Sequence, residues 1–140
     1  MRATFRAVTS TVVPEARSLT PESWLELEGI VDRALADRPP SVQRQVRAFL
    51  RLLNVFAFVT STRSFTTLDD TRRLALLERL AKSPLLLVRR GVWGVRTLAF
   101  MGYYARPSAA QEIGYRASAA GWKARPLDRR RPADEMTVRQ

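Results

Sequence analysis

The chain contains neither cysteine nor histidine among its 140 residues. Without cysteine it forms no disulfide bond, holds no metal through thiolates and offers no thiol nucleophile. Without histidine it lacks the imidazole ligands of most zinc sites and the side chain that most often transfers protons near neutral pH. These two absences exclude Ser-His-Asp and Cys-His catalysis by the residues of this chain alone.

Acidic residues are also scarce, with 13 Asp and Glu scattered along the sequence. One adjacent pair, Asp69-Asp70, lies where a helix is predicted to begin. Negative charge is stabilising at that end of a helix because the peptide dipoles point their positive ends there. We therefore interpret the pair as a helix start and not as a catalytic dyad. A stand-alone enzyme is not the favoured reading of this sequence.

No apolar run is long and uninterrupted enough to predict a membrane-spanning helix. The most apolar stretch, "PLLLVRRGVWGVRTLAFMGYY", is interrupted by Arg89, Arg90 and Arg96, and charges at the centre of a span are costly in lipid. The N-terminal residues lack both the apolar core and the cleavage pattern of a signal peptide. We expect a cytoplasmic chain, or a periplasmic one if a leader was removed or the chain is exported with a partner.

Positive charge is abundant, since 24 basic residues give a net charge of +11. Such a charge indicates nucleic acid, anionic lipid or an acidic protein surface as a partner. Only Lys82 and Lys123 are lysines, and so strong a bias toward arginine also arises from the coding bias of a GC-rich genome. The densest basic run, Arg129, Arg130 and Arg131, is a candidate anionic contact. Nucleic acid is the less favoured partner because most aromatic residues occupy core-like helical positions.

Apolar residues recur at helical spacing nearly throughout, and no alternating strand pattern occurs. We predict an all-α fold, an irregular bundle of four to five helices with an extended C-terminal segment. Residues 1–122 form a single helical domain in this prediction, and residues 123–140 a basic tail, flexible or wrapped around a partner. The predicted helices cover residues 21–38, 42–56 and 84–103, with a short one over 108–113. A further helix is predicted to begin at Asp69-Asp70 and to carry its inward residues between Leu74 and Ala81.

The helix predicted over 84–103 is apolar on more than one side, which is typical of a central helix. We expect other helices or a partner to surround it. Its Gly91 and Gly94 are expected to allow close approach of another backbone. Further local expectations are that Ser41 caps a helix and that Leu74, Leu77 and Leu80 face the core.

The stretch "FMGYYARPSAAQEIGYRASAAGW", residues 100–122, gathers all three tyrosines of the chain. Tyrosine presents a large apolar body and a polar tip, which suits either a strap across the fold or a protein interface. The residues alone leave both alternatives open. No phosphate-binding loop accompanies the glycines. The candidate interface or strap residues are Trp93, Tyr103, Tyr104, Pro107, Ile113, Gly114, Tyr115 and Trp122.

A family pattern runs through these features over roughly residues 20–122. A Phe-x-x-Leu entry leads into an arginine-bearing helix, a central apolar helix follows, and a "GYY…P…IGY" ending closes the pattern. This order resembles the small subunit that accompanies flavin-dependent glucose-methanol-choline oxidoreductases, the gluconate 2-dehydrogenase subunit 3 family. The residues that carry the resemblance are Phe65, Leu68, Arg72, Leu77, Leu80, Gly102, Tyr103, Tyr104, Pro107, Ile113, Gly114 and Tyr115.

The resemblance implies a non-catalytic subunit that binds a large flavoprotein subunit and supports its folding, stability or assembly. That large subunit would carry FAD and the substrate site, so no cofactor and no metal are expected in this chain. Many family members carry a twin-arginine leader, whereas Arg89-Arg90 lies inside this chain, so the resemblance implies assembly or stabilisation more than export. The alternative function is a basic helical module that binds nucleic acid or an anionic membrane surface.

Overall fold

The computed structural model of this chain describes residues 1–112, with side chains described as far as Ala109. The predicted all-α class is confirmed, and this part of the chain contains no strand. The predicted boundary near residue 122 and the tail over 123–140 lie outside the described residues. The helices are α1 (Arg2–Val12), α2 (Pro21–Ala36), α3 (Pro40–Ser61), α4 (Asp70–Ala81), α5 (Leu86–Tyr104) and α6 (Pro107–Glu112), with 3-10 turns at Pro14–Ser18 and Phe65–Thr67.

Helix α1 was not predicted, and it brings the number of α-helices in residues 1–112 to six. Its sequence, "RATFRAVTSTV", is rich in β-branched residues, has no acidic residue in its first turn and has no side-chain cap. These features weaken a helix in isolation. Burial stabilises α1 instead, because Phe5, Ala7 and Val8 enter the core and the helix packs against α5.

Local signals set the start of α2 and of α4. The hydroxyl of Thr20 accepts a hydrogen bond from the backbone N–H of Ser23 at 3.2 Å, and Asp69 Oδ1 accepts one from Arg72 N–H at 2.8 Å. Each bond satisfies an N–H group that lacks a partner within its helix. Bonds to its own backbone N–H and to Thr20 lower the pKa of Glu22 below its ordinary value.

Helix α5 is the central element, as predicted, and it contacts each of the other five α-helices. One side of α5 is buried through Val88, Val92, Val95 and Ala99. At its C-terminal end Gly102 lets α5 approach α2 closely, because a Cβ at this position would lie 2.7 Å from Cγ2 of Val31. The position of α5 therefore determines how α1, α2, α3 and α4 lie around it.

Three local predictions are wrong. Helix α3 begins at Pro40 with no side-chain cap, so Ser41 lies inside the helix and does not cap it. Leu74 is 47% exposed, and Leu76 takes its place in the core beside Leu77 and Leu80. The leucines of α4 offer two overlapping apolar stripes, and packing against α1 and α5 selects one of them. A Cβ at Gly94 would meet no atom within 4 Å, so no backbone approaches it.

The connection between α3 and α4 is anchored by Phe65, whose side chain is fully buried. Its backbone N–H donates to Oδ1 of Asn54 at 3.2 Å. Its carbonyl accepts from Nε of Arg73 at 3.0 Å, and the carbonyl of Thr66 accepts from Nη2 of the same arginine at 2.5 Å. The connection is therefore fixed to α3 on one side and to α4 on the other.

Candidate partner-binding surface

The structure divides the predicted site residues between the core and the surface. Tyr103 is buried at 7% exposure, whereas Tyr104 is 50% and Trp93 69% exposed. Pro107 is exposed at the first position of α6. Tyr103 therefore has the position of a strap residue, and Trp93 and Tyr104 have the position of surface residues. The remaining predicted residues lie outside the described part of the chain: Ile113, Gly114, Tyr115, Trp122, Arg129, Arg130 and Arg131.

An aromatic cluster forms at the C-terminal end of α5. The rings of Tyr103 and Tyr104 meet edge to face with centroids 5.1 Å apart. Phe100 stacks on Tyr104 with a centroid distance of 6.3 Å. Both arrangements are favourable for aromatic pairs. The cluster connects the buried ring of Tyr103 to an exposed aromatic surface on the outer side of α5.

Arg106 holds the end of this helix and was not predicted as a site residue. It is 1% exposed, and its guanidinium carbon lies 4.4 Å from the centroid of the Tyr103 ring. Its Nε donates to the carbonyl of Tyr103 at 3.0 Å, and its Nη1 donates to the hydroxyl of Ser108 at 3.2 Å. A cation at a helix C-terminus is stabilised by the carbonyl groups there. The sequence signal was an arginine directly before the proline that begins the next helix.

The outer face of α5, which we define as Leu86, Trp93, Phe100 and Tyr104, exposes large apolar side chains from one end of the helix to the other. The exposed polar side chains of Arg90 and Thr97 lie between them. Leu86, Trp93 and Phe100 recur at intervals of seven, so they lie on one side of the helix. This side is opposite the buried side that Val88, Val92 and Val95 form. Helix α5 therefore buries one apolar side in the core and exposes apolar side chains on the opposite side. Large exposed apolar patches mark sites of protein association.

Beside this face lies a groove between α3 and α5, with a volume of about 530 Å³. We call it the α3–α5 groove. The residues that line it on α3 include Ala48, Phe49 and Leu52. Gly91 and Gly94 line it on α5, and Gly94 has no neighbouring atom within 4 Å of its Cβ direction. The lining is predominantly apolar, so the groove suits an apolar side of a partner.

Positive charge surrounds the same region. Helices α3 and α5 contain no aspartate or glutamate, and each contains three arginines. All of these arginines are exposed, and none forms an ion pair or a side-chain hydrogen bond with a residue among 1–112. The ion pairs of this part of the chain involve other helices and loops. The arginines concerned are Arg44, Arg47 and Arg51 on α3 and Arg89, Arg90 and Arg96 on α5.

A partly buried ion pair lies elsewhere in the molecule, between α1 and α2. Nε of Arg6 donates to Oε1 of Glu28 at 2.6 Å, and the Glu28 side chain is 6% exposed. This bond raises the pKa of Arg6 above its ordinary value, and the guanidinium also lies over the Trp24 ring at 5.3 Å. The second oxygen of Glu28 is buried and has no hydrogen-bond partner among the described residues. Glu28 adjoins a cavity of about 410 Å³, but its unpartnered oxygen is closed off from solvent.

We predict that Arg6→Ala lowers the free energy of unfolding by about 2 kcal/mol, because it leaves the Glu28 carboxylate buried without its partner. The loss is smaller than for a fully buried pair because the Arg6 side chain is 42% exposed. Urea unfolding followed by circular dichroism measures it. The matched control is Arg2→Ala, whose pair with Asp32 is exposed on both sides, and it should cost less than about 0.5 kcal/mol. Equal losses in the two variants would contradict the prediction.

Within residues 1–112 no group of three or more acidic residues is placed to hold a metal ion. In the same range no helix is long and apolar enough to cross a membrane. Asp69 caps α4, and Asp70 pairs with Arg17 at 3.0 Å and with Arg73 at 3.2 Å. The interpretation of this acidic pair as a helix start therefore agrees with its contacts.

The chemistry that this arrangement offers is association: an exposed aromatic helix face, an adjacent apolar groove and arginines that have no ion-pair partner in the described part of the chain. Sequence reasoning identified Trp93 and Tyr104 but missed the groove, because the groove forms only where α3 and α5 meet. Comparison with protein-family models, with curated proteins and with solved structures finds no match for this chain.

Proposed function

We propose that this chain is a non-catalytic small subunit that binds a large flavin-dependent oxidoreductase subunit of the glucose-methanol-choline type. Its role is to stabilise that subunit or to assist its assembly. The large subunit carries the FAD and oxidises an alcohol, sugar or sterol. The family in this proposal comes from the resemblance in the "GYY…P…IGY" ending and in the Phe65 and Leu68 entry to the arginine-bearing helix.

The observation that best supports a partner-binding role is the outer face of α5. Trp93 lies near the middle of this face at 69% exposure, and Tyr104 lies at its end at 50% exposure. Tryptophan and tyrosine dominate the binding energy of protein interfaces when they become buried there. A central helix that leaves such residues in solvent is expected to bury them against another protein.

The second candidate function is a basic module that binds nucleic acid or an anionic membrane. The exposed arginines of α3 and α5, which have no ion-pair partner among residues 1–112, are the observation that favours it. It predicts binding that weakens steeply with salt and after deletion of residues 123–140. Retention of a protein partner that does not change with salt would argue against it.

Co-expression tests the proposed function. A glucose-methanol-choline flavoprotein from the same source is produced with and without this chain, and its soluble yield, flavin content and turnover are compared. We expect the flavoprotein alone to be poorly soluble or deficient in flavin. The proposal fails if the flavoprotein alone is soluble, flavin-loaded and fully active.

We predict that Trp93→Ser weakens binding of the large subunit at least tenfold, since loss of a central aromatic anchor costs about 1.4 kcal/mol or more. Isothermal titration calorimetry of the purified subunits measures this. The control is Leu25→Ser, which removes an equally exposed apolar side chain from α2, at 61% exposure. We expect the control to bind as the unmodified chain does. Equal affinity of both variants would remove the outer face of α5 from the interface.

A further inference from the structure

The lining of the α3–α5 groove is long enough to contact a short segment of helix. Its lining extends from Val42 to Leu52 on α3 and from Leu87 to Val95 on α5. At a rise of 1.5 Å per residue these spans correspond to about 12–15 Å, or between two and three turns of an α-helix. A helix that lies in such a groove contacts it through apolar residues at positions i, i+3 or i+4, and i+7.

The two helices that form the groove carry arginines and no acidic residue. Arg90 lines the groove directly. Arg44 and Arg51 are not lining residues, but they lie four residues before and three residues after Ala48, which lines the groove, so they neighbour it on the surface of α3. None of the three has an acidic partner among the described residues. An occupant with carboxylates beside its apolar side would supply the missing partners.

We propose that the α3–α5 groove binds an acidic amphipathic α-helix of the partner protein. Apolar residues of that helix enter the groove between Leu52 and Gly94, and its Asp or Glu residues pair with Arg44, Arg51 and Arg90. This inference rests on the proposed function and deepens it, because it states where the partner is held and what its contacting segment is made of. Electrostatic complementarity of this kind mainly determines specificity and the rate of association.

The shape of the region favours a protein helix over the other polyanions. A membrane surface matches a protruding apolar face, whereas this apolar lining is recessed between two helices. A nucleic acid would place phosphates and bases against the surface. The aromatic residue of the groove lining, Phe49, is buried in the core, and the lining residues Val42, Leu52 and Leu87 are aliphatic and offer no ring for a base to stack on. A partner that binds as an added β-strand requires an exposed sheet edge, and residues 1–112 contain no strand.

Three labelled peptides of about 18 residues, or roughly five helical turns, test the proposal by fluorescence anisotropy with the full chain. The first is an amphipathic helix with leucines on one side and glutamates on the other. The second has the same composition in scrambled order, and the third has lysine in place of glutamate. We expect the first peptide to bind at least tenfold more tightly than the second, and the third not to bind. Equal affinity for the first two peptides would overturn the proposal, because charge alone would then explain binding.

A pair of glycine variants localises the peptide. Gly94→Glu puts a side chain into open space within the groove, and its carboxylate lies four residues from Arg90, where it competes for that arginine. Gly29→Glu is the matched control, since it makes the same substitution on α2, outside the groove, where an added Cβ would lie 3.5 Å from Nη1 of Arg33. We expect Gly94→Glu to weaken binding of the first peptide at least tenfold and Gly29→Glu to leave it unchanged. Unchanged binding in both variants would overturn the groove as the site.

Two competition experiments test whether the groove binds nucleic acid or an anionic membrane in place of a protein helix. One uses a single-stranded oligonucleotide of about 20 nucleotides, and the other uses phosphatidylcholine vesicles with roughly a quarter phosphatidylglycerol. Tighter binding of either competitor than of the first peptide, with the same sensitivity to Gly94→Glu, would overturn the assignment to a protein helix.

The same Gly94→Glu variant, co-expressed with the flavoprotein, distinguishes this inference from the proposed function. If the flavoprotein depends on this chain but assembles normally with Gly94→Glu, the groove inference fails and the proposed function stands. If the flavoprotein is fully active alone while the acidic peptide still binds the groove, the proposed function fails and the groove stands as a binding site.

Discussion

Replacing Phe65 with alanine is expected to lower the free energy of unfolding by about 3–5 kcal/mol, which is the range for removing a large aromatic side chain from a core. Phe65 has no solvent exposure and belongs to the hydrophobic core. Its backbone is held by Asn54 on one side and Arg73 on the other, so the connection cannot move freely to fill the space left behind. Residual cavity volume adds to the lost burial energy.

Equilibrium urea unfolding of the full chain measures this loss, with Phe58→Ala as the matched control. Phe58 is the same residue type on α3 but is 62% exposed, so its removal should cost less than about 1 kcal/mol. If Phe65→Ala leaves no folded baseline, Phe65→Leu provides a milder change, expected to cost about 1–2 kcal/mol. Equal stability of Phe65→Ala and Phe58→Ala would contradict the core position of Phe65.

Alanine at Gly91 and alanine at Gly94 are expected to change stability in opposite directions. A Cβ at Gly91 would overlap the ring of Phe49 and lie 2.7 Å from its Cγ, so the ring must move. Phe49 is itself buried in the core, and overpacking of this kind costs about 1–3 kcal/mol. A Cβ at Gly94 would meet nothing within 4 Å. Gly94→Ala should therefore gain up to about 1 kcal/mol from helix propensity and reduced freedom of the unfolded chain.

The two glycine variants are measured in parallel by thermal and urea unfolding. They share the helix, the substitution and the change in intrinsic propensity, so the difference between their unfolding free energies isolates the contact with Phe49. We expect this difference to be about 1–3 kcal/mol, which is the cost of overpacking against Phe49 alone, because the gain in helix propensity is common to both variants. A shared gain in stability would show that Phe49 moves away from α5 at negligible cost.

The sequence was most informative where a local signal acts within one turn of chain. Thr20-Pro21 and Asp69 begin helices as predicted, because a cap needs only a side chain and the N–H groups two or three residues later. The central role of α5 was also predictable, since a helix apolar on more than one side needs neighbours on more than one side. Helix α1 was missed because its stability comes from packing against distant residues rather than from its own caps and propensities.

For the candidate site, the sequence determined which side chains are available, and the tertiary structure determined which of them reach solvent. Tyr103 and Tyr104 are adjacent in sequence, yet one is buried and the other is half exposed. Gly91 and Gly94 look equivalent in sequence, but only Gly91 faces a ring of α3. Neighbouring helix residues point about 100° apart, so their environments depend on which side of α5 the other helices cover.

The absence of cysteine and histidine, the all-α class and the excess of arginine follow from the sequence alone. The α3–α5 groove, the burial of Arg106 against Tyr103 and the exposure of the arginines on α3 and α5 depend on how distant helices meet. Side-chain chemistry and helical periodicity are local properties that can be read directly from the sequence. A surface between two helices exists only after burial of apolar side chains has set the distance and orientation of those helices.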